Sequence, residues 1–251
     1  NKYETKRVFI TSRDGTKVPI SLMYKKGINL KKAPLLQYGY GSYGLVIEPS
    51  FKLAFMPLIE QGFIFAIAHI RGGQDLGKDW YDQGRMMNKM NTFYDFIDCT
   101  KKLHSKNIGN RNNTFAMGGS AGGLLMGVII NLEPQLYKGI VSAVPFVDVL
   151  TTMSDETIPL TTFEYKEWGN PKNKKEYIYI KRYSPYDNID FKPYPSILVT
   201  SSLYDSQVQY FEPAKYVPKL REHSTSGNPI LLKMNLIGGH AGKSGRLASL
   251  K

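Results

Sequence analysis

The segment 113–132, "NTFAMGGSAGGLLMGVIINL", admits few folds. A short apolar stretch runs into four glycines and an alanine around Ser120, and a longer apolar stretch follows. This reads as a buried strand, a sharp turn and a buried helix, because glycine lacks the Cβ that would strike a neighbouring backbone in a tight reversal. A strand turning directly into a helix is a unit of α/β architecture. Within it, Gly118-Gly119-Ser120-Ala121-Gly122 has the G-x-S-x-G spacing of a nucleophile elbow, whose strained turn lifts a serine hydroxyl above the sheet. In a chain with 23 glycines the five residues alone fit a structural turn equally well. The strand before them and the helix after them favour the nucleophile.

The rest of the chain repeats that alternation. "KRVFITSRDGTKVPISLMYKK" alternates on both sides of Asp14-Gly15 and predicts a hairpin. Further strands are expected at "APLLQYGYG", "FIFAIAHI", "GIVSAVP", "SILVTSS" and "PILLKMN". Helices are expected at "NTFYDFIDCTKKLHSK", with apolar residues at 93, 96, 97 and 103, and at "FEPAKYVPKLRE". The expected fold is therefore α/β, a mostly parallel sheet with helices on both faces, in a single domain over 1–251. The irregular stretch 148–195 is expected to be an insertion of loops and short helices over one sheet edge.

Composition narrows function by exclusion. The longest apolar runs are far too short to span a bilayer, and no signal-peptide pattern opens the chain. The single Cys99 permits no internal disulfide and reads as a small buried residue, so a reducing, cytoplasmic setting is expected. No Cys/His cluster has metal-ligand spacing, and neither metal nor cofactor is expected. The net charge of +12 raises nucleic-acid binding, but the lysines are dispersed in pairs without an aromatic-interleaved motif. No nucleic-acid or membrane partner is expected. Asn1 and Lys251 both read as ends cut from a longer chain.

In an open α/β sheet, reactive groups gather in loops at the carboxyl ends of strands, here in the order serine, acid, histidine. Of the four histidines, His69 precedes the serine, and His104 and His223 read as solvated. His240, in the Gly-rich "LIGGHAGKSGR" beyond the last strand, has both order and context. Asp205 ends the preceding strand region, "SILVTSSLYDSQVQY", 85 residues after Ser120 and 35 before His240. Asp187 and Asp190 lack a strand leading into them and read as turn or cap residues. Ser120, His240 and Asp205 become nucleophile, general acid/base and orienter. The oxyanion donors are expected to be the Ala121 backbone N–H and a tyrosine of "LLQYGYGSYG", either Tyr38 or Tyr40.

The strings "MGGSAGG", "AHIRGG", "VPFVDV", "TIPLTT", "EWGNP", "YSPYDN", "YDSQVQYFEPAKYVPKLRE" and "GHAGKSGR" run in one register over nearly the whole chain. Together they resemble the prolyl oligopeptidase family of serine peptidases, in its oligopeptidase B branch. The resemblance implies an α/β-hydrolase fold, the triad above, Tyr38 as oxyanion donor over Tyr40, and cleavage of short peptides after Arg or Lys. It also implies Glu164 as the acid of the primary pocket, Phe146 stacking on the guanidinium, and Glu48 as a further acid of the cationic subsites. The chain departs from the family at Lys166 and Ser50, where acids are common, and at Ala241, where glycine usually follows the histidine. Lys166 aimed at the pocket would weaken a preference for basic residues; aimed at solvent it would not. The family's N-terminal β-propeller and closing C-terminal helix have no counterpart here, so the chain reads as a catalytic domain alone.

Because a positive body repels cationic peptides, acids must dominate locally in such a cleft. Two alternative functions use the same residues. A carboxylic-ester hydrolase would turn over a plain acyl ester and leave an arginyl amide intact. A non-catalytic basic binding module would leave Ser120 unlabelled by an organophosphonate and bind polyanions with steep salt dependence.

Overall fold

The computed structural model describes residues 2–50 and 53–242. Asp14-Gly15 reverses the chain, Gly15 taking a φ of 89°. It joins β1 (Tyr3–Thr11) to β2 (Lys17–Lys25) in antiparallel register, with Tyr3 opposite Lys25 and Thr11 opposite Lys17. The chain then forms β3 (Leu35–Tyr38), β4 (Ile64–Ala68), β5 (Thr114–Gly119), β6 (Gly139–Ala143), β7 (Ser196–Ser202) and β8 (Ile230–Asn235). All lie in one sheet of order β1-β2-β4-β3-β5-β6-β7-β8. β2 meets β4 antiparallel, and every later pairing is parallel.

The helices among the described residues are α1 (Met56–Glu60), α2 (Lys78–Asp82), α3 (Met90–Ser105), α4 (Ala121–Leu132), α5 (Val149–Ser154), α6 (Tyr165–Trp168), α7 (Lys174–Tyr183) and α8 (Phe211–His223). They cover the two faces unequally, and the strand pleat shows how. Side chains alternate across a strand, so Ile64, Ala66 and Ala68 of β4 enter the main core while Phe65 and Ile67 enter a second cluster. The main core takes Phe93, Phe96, Ile97, Cys99 and Leu103 from α3, most of α4, and Tyr216, Val217 and Leu220 from α8. The second cluster receives Ile59 and its neighbours from α1, and on that face Leu198 and Leu231 stay exposed. Cys99 is fully buried, as its helical spacing implies. No helix among the described residues is long and apolar enough to cross a membrane.

The stretch 148–195 corrects one expectation. It does form short helices, but, while α7 packs against the start of α3, α5 and the segment leading into α6 stand beside Ser120 above the carboxyl ends of the central strands. Three contacts place it there: Tyr43 N–H and Tyr81 Oη donate to Glu167 at 2.9 and 2.5 Å, and the Tyr43 hydroxyl donates to Glu164 at 2.7 Å.

Candidate active site

Ser120 stands between the end of β5 and the first residue of α4, with φ 56° and ψ −119°. Holding a non-glycine residue there costs about 1–3 kcal/mol. Leu124, Leu125 and Ile129 of the helix that follows are fully buried, each contributing roughly 1.5–3 kcal/mol. The packing therefore outweighs the strain. Two bonds lock the turn: Ser120 N–H donates to Ala143 O at 2.8 Å, and Phe146 N–H donates to Ser120 O at 3.1 Å. Glycine is required at Gly118, where a Cβ would lie 2.3 Å from Gly122 O. It is also required at Gly123, just outside the five-residue motif, where a Cβ would lie 2.4 Å from Pro145.

The Ala121 N–H belongs to the first turn of α4, whose N–H groups have no partner within the helix. The tyrosine beside it is Tyr40. Tyr38, singled out by resemblance, shares its strand face with Leu36 and packs with the second cluster, on the side of the sheet away from α4. Tyr40 lies beyond the strand end, packs against the main core and lines one pocket with Ser120 and Ala121. Burial pushes the Tyr40 phenol up to about 12, with the Ser120 hydroxyl close enough to pull the other way. Tyr40 therefore keeps its proton at neutral pH and can donate it.

Asp205 lies in the loop after β7 with its side chain fully buried. Its Oδ1 accepts the N–H groups of Gln207 and Val208, both at 2.9 Å. His240 Nδ1 sits 3.0 Å from Oδ1 and 2.8 Å from Oδ2. The loop after β8 that delivers His240 is shaped by Asn235 Oδ1, which accepts from Ile237 N–H and Gly238 N–H. Among the described residues His240 is hydrogen bonded to Asp205 and not to Ser120. Ser120 and His240 line separate cavities, and Ala143, whose carbonyl accepts the Ser120 N–H, lines the one that holds His240. Nucleophile–base bonds of this kind often tighten only with substrate bound. The "KSGR" part of the histidine motif lies outside the described residues.

The Ser120 pocket, of about 190 Å³, is also lined by Tyr43, Phe146, Thr152, Glu164 and Val208. Half-buried Glu164 receives Trp168 Nε1–H at 2.6 Å and Tyr43 Oη–H at 2.7 Å, both on Oε2. Among the described residues no hydrogen-bond donor reaches Oε1. Phe146 is buried against Trp168, with ring centroids 5.3 Å apart. Its loop is held from α8 by fully buried Glu212, which accepts Val147 N–H, Asp148 N–H and the Thr152 hydroxyl. Lys166 is exposed and does not line the pocket. Glu48, expected as a further acid of the cationic subsites, lies apart from the Ser120 pocket. It sits exposed in a separate cleft with Arg7, His69 and Asp75, because the loop after β3 runs toward the face of the second cluster.

The remaining polar residues are also placed. Asp187 accepts the Ser184 hydroxyl, and Asp190 accepts the N–H of Phe191, both as local turn bonds. His104, read as solvated, is buried, with Nε2 2.7 Å from Thr114 Oγ1. It sits on the sheet-facing side of α3, and burial lowers its pKa. His69 forms a second serine–histidine–aspartate array, 2.9 Å from Ser21 Oγ and 2.7 Å from Asp75 Oδ1. Ser21 lies within regular β2 and not at a strand-to-helix turn. Among the described residues no group of three or more His, Cys, Asp or Glu could hold a metal ion. Sequence reasoning missed Tyr43, Lys89, Glu167 and Trp168. The third tyrosine of "YGYGSYG" and the acid of "EWGNP" were the available signals.

The prolyl oligopeptidase family profile matches residues 49–249. Dipeptidyl aminopeptidase BI of Pseudoxanthomonas mexicana is 53% identical over 248 residues, 98% of this chain and 34% of the relative. Protease 2 of Moraxella lacunata is 47% identical over 252 residues, 100% of this chain and 36% of the relative. Oligopeptidase B from Leishmania major superposes with a TM-score of 0.93 at 47% identity, over 95% of this chain and 33% of that one. Oligopeptidase B from Trypanosoma brucei, with antipain covalently bound, gives 0.94 at 48%, over 96% and 34%. The chain thus spans about a third of the length of these relatives.

Proposed function

Because the chain belongs to the prolyl oligopeptidase family of serine peptidases, we propose that residues 1–251 act as one catalytic domain hydrolysing peptide bonds of short peptides after Arg or Lys. One observation carries the specificity: the carboxylate of Glu164 lies in the pocket that Ser120 lines, with one oxygen open to a cation. Ser120 attacks the scissile carbonyl while His240, oriented by Asp205, takes its proton and later passes it to the leaving amine. The oxyanion is held by the Ala121 N–H and the Tyr40 hydroxyl, and water then releases the acyl group. A guanidinium bound to Glu164 would sit against Phe146. Exposed Lys166 leaves the local charge of the pocket negative despite the basic body. Single buried Cys99 suits a reducing compartment, and the cytoplasm is the setting in this reading.

The test is an arginyl amide set against a plain acyl ester. Ester turnover with no arginyl cleavage would overturn the peptidase reading in favour of an ester hydrolase. The name of the Pseudoxanthomonas relative favours a second reading, release of dipeptides from the amino end. Blocking the amino terminus of an arginyl peptide decides between the two, since internal cleavage survives the block and dipeptide release does not.

Two substitutions sharpen the assignment. Glu164→Gln is expected to lower kcat/KM for arginyl substrates about 10²-fold, because it removes one partner of a desolvated charge pair. Neutral esters should be nearly unaffected, and an equal loss for them would refute the pocket role. Tyr40→Phe should lower kcat about 10²–10³-fold, the effect of losing one oxyanion donor. Tyr38→Phe, measured in parallel, should stay within a few-fold of the parent.

A further inference from the structure

Lys89, just before α3, is only 1% exposed. Its ammonium donates to Gly41 O at 2.6 Å and to Ser42 Oγ at 2.8 Å. The rings of Trp168 and Phe93 close over it at 5.0 and 5.9 Å. The acid facing it is buried Glu167 of α6, which accepts the Tyr43 N–H and the Tyr81 hydroxyl. Arg85 lies beyond, 4.6 Å over the Tyr81 ring. Burying an ammonium forfeits its hydration, and an apolar side chain of the same length would avoid that loss.

The segment Lys89 grips is the loop 39–44, which brings Tyr40 to Ser120 and Tyr43 to Glu164. Gly41 has a φ of 72° there, and its carbonyl also accepts the Thr92 hydroxyl at 3.4 Å. We propose that Lys89 and Glu167 form a buried charged clamp on this loop, Lys89 through Gly41 and Ser42 and Glu167 through the Tyr43 N–H, coupling the oxyanion tyrosine to the specificity acid. The clamp rests on the reading of Ser120, Tyr40 and Glu164 given above. Lys89 touches no substrate and is a positioning residue.

The clamp has a pH signature. Burial pushes the Lys89 ammonium down to about 8, with Glu167 pulling it back up. Deprotonation turns two charge-assisted bonds into neutral ones, roughly half as strong, and leaves Glu167 without a facing cation. Turnover should therefore fall as pH rises through about 8. Stability moves the other way. Above that pH, up to the ordinary ammonium range, the unfolded chain binds more protons than the folded one, so Lys89's contribution to stability rises with pH. A fall in turnover without a loss of stability separates the clamp from alkaline unfolding.

In the intact protein, Lys89→Met should lower kcat about 10–10²-fold on both the arginyl amide and the neutral ester, the scale of a small misplacement of catalytic groups. It should raise KM for the arginyl substrate only, and abolish the alkaline fall. The parent is expected to show a fluorescence titration of Trp168 near pH 8, and Lys89→Met should remove it. Parent-like kcat on both substrates, with the alkaline fall retained, overturns the clamp. If Lys89→Met does not fold, Ser42→Ala decides: a folded variant with parental kcat, together with a parent whose turnover is flat through the same pH, overturns it. Failure of Ser120 to react with a phosphonate would instead defeat the enzymatic reading, and the fluorescence titration would still decide the clamp.

Discussion

Ser120→Ala is expected to lower kcat by about 10⁶-fold, the scale seen when a triad nucleophile is removed and only binding and oxyanion stabilisation remain. Stability should change little. Alanine takes the φ of 56° about as readily as serine, and the locking bonds to Ala143 and Phe146 use the backbone, which the substitution leaves alone. Circular dichroism and thermal unfolding should match the parent, while covalent labelling by an organophosphonate disappears. Retained turnover would move the nucleophile elsewhere, and Ser21 beside His69 and Asp75 would be the next candidate. That array lacks what the elbow supplies: a strained exposed turn, a helix N–H and a tyrosine hydroxyl around one reaction centre.

Asp205→Asn is expected to lower kcat by about 10⁴-fold with the geometry kept. An asparagine oxygen can still accept the N–H groups of Gln207 and Val208, so the loop after β7 holds its shape. The amide nitrogen must then face His240 Nδ1, where the carboxylate now sits at 2.8–3.0 Å. Donating to Nδ1 forces the ring proton onto Nε2, the nitrogen that must accept the Ser120 proton, so the base is in the wrong tautomer. Kinetics on the ester and the amide should fall together, because both need the same proton transfer. A loss of less than tenfold would place the orienting acid elsewhere. Asp187 and Asp190 are poorly set for that role, since each is engaged in a local turn bond.

Much of this was legible in the residues, for reasons that differ by feature. Strand and helix identities follow from local periodicity, which is why the hairpin at Asp14-Gly15, α3 and α8 all appear where the pattern puts them. The elbow is equally local: Gly118 and Ser120 declare a reversal that few other residue types permit. Asp205 and His240, 2.8 Å apart, could be paired from sequence because a parallel sheet delivers successive strand ends to one rim, so chain order becomes spatial order. The pocket resisted such reading. Tyr38 and Tyr40 differ by one turn of the pleat, and which one reaches Ser120 depends on where β3 stops, since only the residue beyond the strand escapes its alternation. Glu48 reads in sequence as a further acid of the cationic subsites, yet it lines a cleft apart from Ser120.

The individual strands and helices and the reversal at Ser120 follow from spacing within one stretch of chain, and the order of serine, acid and histidine follows from the succession of parallel strand ends. Packing sets which tyrosine faces the elbow, that Lys166 turns to solvent, and that Lys89 and Glu167 both hold the loop 39–44. Those outcomes depend on contacts between residues tens of positions apart, where burial and charge compete, and no local pattern carries that competition.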